Sequence, residues 1–312
     1  MNHTITWVPR LIHDAYDSPA RLRGVIGFCR ATGIREVQLC PHKHWPAEPV
    51  WLPRRALVRR RRQLAGIIRT LGRNGIAGTL NVLRTFMPAG GGDAIGFRQP
   101  RMDAAGAVNP LMPCPRDPGY LDYIRFFYGE MAKTGASKIF VDDDFRFESL
   151  GLGPTCFCPL HIAEFNRRTG ARETRESLAR ICADARPSAR KRQWMEFKRD
   201  ELLDLARLIR ETVHAVAPQA RVGLMLTYTE ISLFEGRDIR RLVEAFAGGL
   251  RPLARPAHGW YSDETRLDLL AGLPGWLLAT LAVAALLYPL ANIAPFFFAA
   301  TVGSQNWISR AG

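Results

Sequence analysis

The residues with the greatest capacity for chemistry lie close together in VDDDFRFESLGLGPTCFCPLH, residues 141–161. Three consecutive aspartates, Asp142, Asp143 and Asp144, precede two cysteines and a histidine. Neighbouring carboxylates suit acid–base catalysis or a divalent cation, whereas cysteine and histidine together suit zinc. The segment therefore contains the side chains of either one chemical site or two.

The three aspartates end an apolar run, SKIFVDDDF, which predicts a strand over residues 137–145. In parallel α/β folds, catalytic groups gather at the carboxyl ends of strands, so these side chains stand where a site is expected. Adjacent carboxylates raise one another's proton affinity, and an acid with a raised pKa can protonate a departing oxygen. Two other interpretations stay open: ion pairs with arginines such as Arg146, and binding of a divalent cation.

Cysteine and histidine form the second group. Cys156, Cys158 and His161 lie within six residues of one another, and Cys114 lies on an earlier loop rich in glycine and proline. Together they can supply the four ligands of a structural zinc site. An equal alternative is that they are ordinary loop cysteines and that the histidine begins a surface helix. The other cysteines fall within helical or strand patterns and are predicted to be small buried residues: Cys29, Cys40 and Cys182.

Charge is the most unusual feature of the composition. The formal charge is +14, and arginine supplies almost all of the excess. The densest run, Arg59–Arg62, lies among apolar residues at helical spacing, which indicates a solvated helix face. The sequence contains no recognition-helix, zinc-finger or stacking motif of the nucleic-acid modules, so we do not expect a nucleic-acid partner.

The compartment follows from the amino terminus and the cysteines. The first residues lack the charged start, apolar core and cleavage site of a secretory signal. Six cysteines in a chain of 312 residues do not suggest a disulfide scaffold. We therefore expect a cytoplasmic protein with reduced thiols or metal-bound cysteines.

Short β-rich runs alternate with helical stretches over residues 4–259, which is typical of a parallel sheet with crossover helices. The predicted strands are residues 4–10, 34–40, 76–86, 137–145, 220–228 and 250–259. The predicted helices are residues 18–33, 52–75, 118–135, 160–184, 194–218 and 238–248. A long loop is predicted over residues 87–117, where glycine and proline are frequent. No glycine-rich nucleotide motif is present, so the pattern predicts a TIM-type (β/α)8 barrel with about six to seven repeats present.

The carboxyl-terminal segment breaks this pattern, because residues 276–309 contain no charged side chain. Residues 276–301 are long enough to span a bilayer. Three residues near the centre of that window oppose a transmembrane helix: Pro289, Asn292 and Pro295. A final barrel strand with its loop, an aberrant terminus and a membrane segment all stay open.

These patterns predict two parts of the chain. Residues 1–275 form the β/α barrel and include a candidate zinc-binding loop over residues 114–161. Residues 276–312 form the uncharged apolar tail.

Two segments together resemble a known enzyme family: CPRDPGYLDYIRFFYGEMA at residues 114–132, and VDDDF with the following CFCPLH. They are similar to the barrel domain of family 42 β-galactosidases, which are retaining glycoside hydrolases of clan A. In that family a Cys-Pro motif opens a helix, the next strand ends in Val-Asp-Asn-Glu-Tyr, and a Cys-x-Cys-x-x-Cys loop follows. The resemblance covers about residues 4–265 and implies a (β/α)8 barrel that acts on a β-galactoside-type sugar.

The resemblance also implies roles for individual residues. The implied zinc ligands are Cys114, Cys156, Cys158 and His161. His161 stands where the family has its last cysteine, and zinc accepts either ligand. Asp144 occupies the general acid/base position and Asp143 the neighbouring substrate-orienting position. Both are departures from the family, whose residues at these positions are glutamate and asparagine.

A retaining glycosidase also needs a second carboxylate, roughly 5 Å from the first, as nucleophile. The family supplies a glutamate after the seventh strand, but the uncharged tail has no acid at that place. The weak candidates at other strand ends are Glu230, Asp263 and Glu264. The expected sugar contacts are His44, Trp45 and Asp142.

The leading expectation is therefore a zinc-bearing barrel of glycoside hydrolase type whose partner is a carbohydrate. In this interpretation the segment holds two sites, and the zinc fastens the loop without touching substrate. One alternative is a catalytically incomplete carbohydrate-binding or scaffold barrel, favoured by the missing seventh-strand glutamate. Another is a membrane-tethered metalloenzyme that uses the three aspartates. A homo-oligomer is compatible with the sequence.

Overall fold

The computed structural model describes residues 8–43, 48–86, 97–147, 155–184, 186–226 and 237–255. Several predictions concern residues outside these ranges: the sugar contacts His44 and Trp45, the nucleophile candidates Glu230, Asp263 and Glu264, and the tail over residues 276–312. They stay predictions, as does the division of the chain after residue 275.

Eight strands are present in the described residues. Their bounds are Arg10–Leu11 (β1), Glu36–Leu39 (β2), Ala77–Val82 (β3), Pro100–Met102 (β4), Val108–Pro113 (β5), Lys138–Val141 (β6), Arg221–Met225 (β7) and Ala254–Arg255 (β8). Six of them form one sheet in the order β1-β2-β3-β6-β7-β8, and every neighbouring pair is parallel. β4 and β5 pair with each other as an antiparallel hairpin.

Helices connect these strands. Their bounds are Pro19–Thr32 (α1), Arg54–Arg73 (α2), Pro118–Ala132 (α3), Pro159–Thr169 (α4), Arg175–Ala183 (α5), Ala189–His214 (α6) and Ile239–Ala247 (α7), with a 3-10 turn at His13–Ala15. Each step between neighbouring strands of the main sheet is a crossover that contains at least one helix. The described residues thus form a parallel, curled half-barrel sheet with helices, which accords with the predicted β/α repeats.

Local sequence signals explain why the helices begin and end where they do. The Ser18 side chain accepts a hydrogen bond from the backbone N–H of Arg21, and Pro19 occupies the first turn of α1. The helix ends at Gly33, whose φ of 72° is a left-handed conformation that glycine adopts without strain. The Asp117 side chain caps α3 in the same way as Ser18 caps α1. Short-range signals of this kind place α1 and α3 almost where the sequence predicts them.

The long loop predicted over residues 87–117 is incorrect for its second half, which contains the β4–β5 hairpin. Pro100, Pro110 and Pro113 all lie within the hairpin strands. Proline removes a backbone donor and is unusual within strands, so the sequence pattern did not resemble a hairpin. The hairpin matters because it connects the two groups of candidate site residues.

The main core lies between the sheet and its helices. Fully buried aliphatic residues from the central strands include Val37, Leu39, Leu80, Val82, Ile139, Val141 and Leu224. A smaller cluster lies around α4, α5 and α6, and consists of Phe157, Phe165, Leu178, Trp194 and Phe197. Each such side chain contributes about 1.5–3 kcal/mol relative to an exposed one. The two cores hold the strand ends and the cysteine-bearing loop on rigid supports.

No helix within the described ranges is long and apolar enough to cross a membrane. The apolar tail lies outside those ranges.

Candidate active site and candidate metal centre

The three aspartates follow the carboxyl end of β6, in the middle of the parallel sheet. The backbone N–H of Asp142 still donates to the carbonyl oxygen of Val82 at 3.1 Å, and then the chain turns. Within the turn, the N–H of Phe145 donates to the Asp142 carbonyl at 3.2 Å, and the N–H of Arg146 donates to the Asp144 carbonyl at 2.9 Å. This tight turn points the three carboxylates towards different partners.

Asp142 lies between two arginines that come from other strands. Its Oδ2 lies 3.8 Å from Nη1 of Arg10 in β1, and its Oδ1 lies 3.5 Å from Nη2 of Arg255 in β8. Burial raises the pKa of Asp142 above its usual range, although the charges of Arg10 and Arg255 act in the opposite direction. The arrangement therefore places a carboxylate and two guanidinium groups together at the barrel mouth.

Asn81 completes this group from β3. Its Oδ1 accepts a hydrogen bond from Nη2 of Arg255 at 3.0 Å. Three other atoms are buried without a hydrogen-bond partner: Nδ2 of Asn81, Nε of Arg255 and Oδ1 of Asp142. Buried polar groups are nearly always hydrogen-bonded, so two unused donors beside a carboxylate that is held only by ion pairs fit a polar ligand. Sugar hydroxyls, which both donate and accept, match this set.

Sequence reasoning missed Arg10, Asn81 and Arg255. A signal was available, since each lies in or at the end of a predicted strand of the same sheet. Nothing in the local pattern, however, distinguishes them from the other arginines and polar residues of the chain.

Asp143 is the most accessible of the three aspartates, with 31% of its side chain exposed. Its Oδ2 lies 3.6 Å from Nη1 of Arg146, which also donates to the Asp143 carbonyl oxygen at 3.0 Å. The ion-pair interpretation of the trio therefore applies to Asp143. Its accessibility also leaves it able to contact a substrate.

Asp144 is only 4% exposed. Its Oδ2 accepts two backbone hydrogen bonds, from the N–H of Thr85 at 2.7 Å and from that of Phe86 at 2.9 Å. Burial is the main cause that raises the pKa of Asp144 well above its usual range, and the nearby Asp142 carboxylate adds to it. Burial therefore favours the protonated, neutral form of the Asp144 carboxyl group.

The loop that receives Asp144 is itself fixed by tyrosines of α3. The Tyr120 hydroxyl donates to the Thr85 carbonyl oxygen at 2.6 Å, and the Tyr128 hydroxyl lies 2.6 Å from the Thr85 hydroxyl. Both tyrosines are fully buried. The position of Asp144 therefore depends on β3, α3 and β6 together.

The third interpretation of the trio, a divalent cation site, gains no support. Within the described residues, the aspartates do not form a set of mutually close ligand atoms as the cysteines and histidine do. The carboxylates diverge along the turn instead of converging.

The cysteine and histidine side chains do converge. One ligand atom from each of Cys114, Cys156, Cys158 and His161 lies within 4.8 Å of all the others, and all four residues are buried. Nδ1 of His161 lies 3.1 Å from Sγ of Cys114 and 3.4 Å from Sγ of Cys158, and the two sulfurs are 3.4 Å apart. With metal–ligand bonds of about 2.0–2.3 Å, a tetrahedral zinc ion separates its ligand atoms by roughly 3.3–3.8 Å. The donor set and its spacing therefore fit zinc.

Further groups lie beside these donors. Nε2 of His161 lies 4.0 Å from Oε2 of Glu201. The same carboxylate oxygen accepts a hydrogen bond from Nη1 of Arg116 at 2.7 Å. The backbone N–H of Arg116 donates to Sγ of Cys114 at 3.3 Å. At 4.0 Å the Glu201 carboxylate lies beyond hydrogen-bond distance of the imidazole, so it is a nearby negative charge and not a direct hydrogen-bond partner.

Arg101 connects the two groups of residues. It lies in β4, is fully buried, and stacks over the Phe86 ring at 3.6 Å. Its guanidinium donates to the carbonyl oxygen of Pro113, next to the first cysteine, at 3.3 Å and to that of Arg146, beside the aspartates, at 3.1 Å. The hairpin therefore holds the aspartate turn and the cysteine loop in a common frame.

Comparison with protein-family models and with curated proteins finds no match. Solved structures do match. The PgaB (BpsB) glycoside hydrolase domain from Bordetella bronchiseptica aligns with a TM-score of 0.55 at 18% identity, over 78% of this chain and 72% of that one.

Two β-galactosidases also match. The enzyme from Bacillus circulans sp. alkalophilus aligns with a TM-score of 0.53 at 15% identity, over 78% of this chain and 39% of that one. The enzyme from Rahnella sp. R3 aligns with a TM-score of 0.51 at 13% identity, over 76% of this chain and 37% of that one. The chain thus spans less than half the length of these β-galactosidases. The similarities support a partial β/α-barrel fold for this chain and do not single out family 42.

Proposed function

We propose that this protein is a barrel of glycoside hydrolase type that acts on a β-linked sugar, with a β-galactoside as the leading substrate class. One observation carries the proposal: Asp144, a buried carboxyl group with a raised pKa, lies just beyond the carboxyl end of a central parallel strand, two residues after the Asp142 carboxylate that meets Arg255. Barrel enzymes place their catalytic groups at this end of the strands. The two β-galactosidases and the glycoside hydrolase domain among the similar structures support the class of substrate.

Asp144 is the proposed general acid and base. Because its Oδ2 accepts two backbone N–H groups, the proton of the neutral form resides on Oδ1. A raised pKa favours the protonated form, which can deliver its proton to the departing glycosidic oxygen. Asp143 is the proposed substrate-orienting residue, and Asp142 binds sugar hydroxyls together with Asn81 and Arg255.

The nucleophile of a retaining reaction is a separate question, since it requires a second carboxylate roughly 5 Å from the acid. The candidates Glu230, Asp263 and Glu264 lie outside the described residues. A fluorinated glycoside that traps the covalent intermediate, followed by peptide mass spectrometry, identifies the residue directly. If the trapped sugar is attached to a residue other than these three, none of them is the nucleophile.

A structural zinc ion is part of the proposal. The ligands would be Cys114, Cys156, Cys158 and His161, and the mutual approach of their donor atoms to within 4.8 Å supports this assignment. The ion would supply charge and four bonds that fasten the loop before α4 to the hairpin. It has no role in proton transfer or in substrate binding.

The decisive test is the leaving-group dependence of the Asp144→Asn variant. Removing a general acid typically costs about 10²–10⁴-fold in rate, and the loss falls mainly on substrates whose leaving group needs protonation. We expect severe slowing with alkyl β-galactosides and mild slowing with activated aryl β-galactosides. Equal slowing of both classes rejects Asp144 as the acid.

A second candidate function is sugar binding without turnover. One observation favours it: the Asp144 carboxylate accepts hydrogen bonds from two backbone N–H groups, and the residue is only 4% exposed. A purely structural aspartate is held in the same way. Saturable calorimetric binding of β-galactosides, with no product after prolonged incubation of the intact protein, establishes this alternative. Detectable hydrolysis that depends on Asp144 rejects it.

A further inference from the structure

A cavity lies at the same end of the sheet as the aspartates, beside the first turns of α2. Its volume is about 280 Å³, near the lower limit of roughly 300 Å³ for small-molecule pockets, so it suits one sugar unit. The residues that line it include Lys43, Glu48, Leu52, Ala56, Arg59 and Arg60. None of these residues belongs to the aspartate group or to the cysteine group.

The lining of this cavity has more positive than negative charge. Glu48 is its one carboxylate, and it already pairs with Arg60 at 2.9 Å and with Arg84 at 3.6 Å. Lys43 and Arg59 have no ion-pair partner among the described residues. Two cationic side chains are therefore left to attract an anion.

Arg59 also belongs to a longer row of charge on α2. The exposed arginines on this side of the helix follow a spacing of three, four or seven residues: Arg55, Arg59, Arg62, Arg69 and Arg73. At a rise of about 1.5 Å per residue, the row extends over about 27 Å. No carboxylate of the described residues pairs with any member of the row. The cavity thus continues into a cationic surface.

We propose that the cavity and this arginine row bind an acidic glycan, so that the sugar chain on which the barrel acts contains carboxylate-bearing sugars. The inference rests on the proposed sugar-directed function and specifies its substrate class. Arg59 and Lys43 receive a carboxylate, which the planar guanidinium matches with two parallel hydrogen bonds. Leu52 and Ala56 offer an apolar wall to the C–H face of the same sugar ring.

Contacts within the structure connect this cavity to the aspartates. Nη1 of Arg84 donates to the Pro49 carbonyl oxygen at 3.0 Å and its Nη2 donates to the Lys43 carbonyl oxygen at 3.1 Å, which fixes the cavity's loop to the end of β3. The next residue, Thr85, donates its N–H to Asp144. One loop therefore supports both the cavity wall and the proposed acid, as a subsite for a neighbouring sugar requires.

Two other polyanions fit this surface less well. Single-stranded nucleic acids bind on aromatic stacking platforms, and no aromatic residue of the described ranges lines the cavity. Peripheral membrane helices insert large apolar residues beside their basic ones. The exposed large apolar residues of the described ranges all lie outside α2: Phe28, Val108, Leu160 and Val216.

The test measures binding of the intact chain to three trisaccharides by calorimetry: a galacturonate, its neutral galactose counterpart and a sulfated galactose counterpart. The test variant is Arg59→Glu. The matched control is Arg172→Glu, because Arg172 is also exposed, has no ion-pair partner among the described residues, lies between α4 and α5, and undergoes the same change of charge. Thermal melting of both variants verifies that they fold.

We expect the galacturonate to bind at least about tenfold more tightly than the neutral trisaccharide, which corresponds to one charge-assisted contact. Arg59→Glu should weaken galacturonate binding by about tenfold and Arg172→Glu by less than about twofold. Binding of the neutral sugar should not change. Preference for the sulfated sugar over the galacturonate would reject the carboxylate assignment.

Several results overturn the proposal. An equal loss of galacturonate affinity in Arg59→Glu and Arg172→Glu would show that only the net charge of the protein matters. Equal affinity for the galacturonate and the neutral trisaccharide would show that the site does not select a carboxylate. Tighter binding of a single-stranded oligonucleotide or of anionic vesicles would assign the surface to another partner. Galacturonate binding without hydrolysis of any glycoside rejects the proposed enzyme but retains this site, whereas hydrolysis of neutral β-galactosides without galacturonate binding rejects this site alone.

Discussion

The aspartate turn and the cysteine cluster come from one short segment of sequence, yet their side chains behave in opposite ways. In the cysteine cluster, ligand atoms from three places in the chain lie within 4.8 Å of one another. In the aspartate turn, three adjacent carboxylates take three different sets of partners. The carboxylates therefore point apart although they are adjacent in sequence, whereas the fold brings the thiols and the imidazole close together.

The physical reason is the backbone of each region. After β6 the chain turns sharply, and consecutive residues in a turn direct their side chains apart. The cysteines instead lie on separate supports, with Cys114 before α3 and Cys158 at the start of α4, and these supports are packed together by the hairpin and the aromatic cluster. Four mutually close donors favour a metal ion, and three separated carboxyl groups permit three separate roles.

Loss of the cysteine cluster should have the largest effect. In Cys156→Ser we expect the bound zinc to fall from about one ion per chain towards none, because a structural site contributes its binding free energy to folding. A loss of about 5 kcal/mol should lower Tm by about 10 °C. Elemental analysis and thermal melting measure both quantities. Cys182→Ser, which changes a half-buried cysteine outside the cluster, is the control and should alter neither. Unchanged metal content in Cys156→Ser would rule out the metal assignment.

Disconnecting the two regions should have the next largest effect. Arg101→Met removes the hydrogen bonds to the carbonyl oxygens of Pro113 and Arg146 and leaves both carbonyls buried, which should cost about 2–4 kcal/mol in urea unfolding. We also expect weaker zinc retention against a chelator, since the hairpin holds the cysteine loop. Arg98→Met, at an exposed position of the same segment, should change stability by less than about 0.5 kcal/mol. Full stability in Arg101→Met would show that the regions are independent.

The third prediction concerns the pH dependence of Asp144. Its pKa is raised in the folded state, so the native protein loses stability as the pH rises from the unfolded pKa, near 4, through the folded value. Asp144→Asn resembles the protonated form and has no proton to lose. The variant and the native protein should therefore have similar Tm values at low pH, with the variant increasingly more stable as the pH rises. Parallel Tm profiles over the whole range would contradict a raised pKa for Asp144 in the folded protein.

The smallest effect on stability is expected at Asp143. Its side chain is 31% exposed and its contact with Arg146 is an accessible ion pair, so Asp143→Asn should change the free energy of unfolding by less than about 0.5 kcal/mol. As a substrate-orienting residue, it should nevertheless lower kcat/KM for β-galactosides. Urea unfolding and steady-state kinetics on the same preparation separate the two effects. A large loss of stability would assign Asp143 a structural role and contradict its assignment as a substrate-orienting residue.

Local rules predicted most of the secondary structure and failed where a distant contact competed with them. Ser18, Pro19 and Gly33 define α1 by their own chemistry, so its bounds were predictable. The third strand was predicted to continue to residue 86 but ends at Val82. The residues beyond it form the loop whose N–H groups bind Asp144, and that partner lies about 60 residues further along the chain.

The amino-acid sequence by itself determined the ingredients of both regions: three carboxylates at the end of an apolar strand, and a set of soft donors with zinc-like spacing. Only the tertiary structure decided that Asp142 meets Arg10 and Arg255, since these contacts join the two edge strands of the sheet to its centre. Parallel strands bring their carboxyl ends together whatever their distance in sequence. Side-chain type is therefore a local property, whereas the neighbours that change its pKa and its hydrogen bonds are a property of the fold.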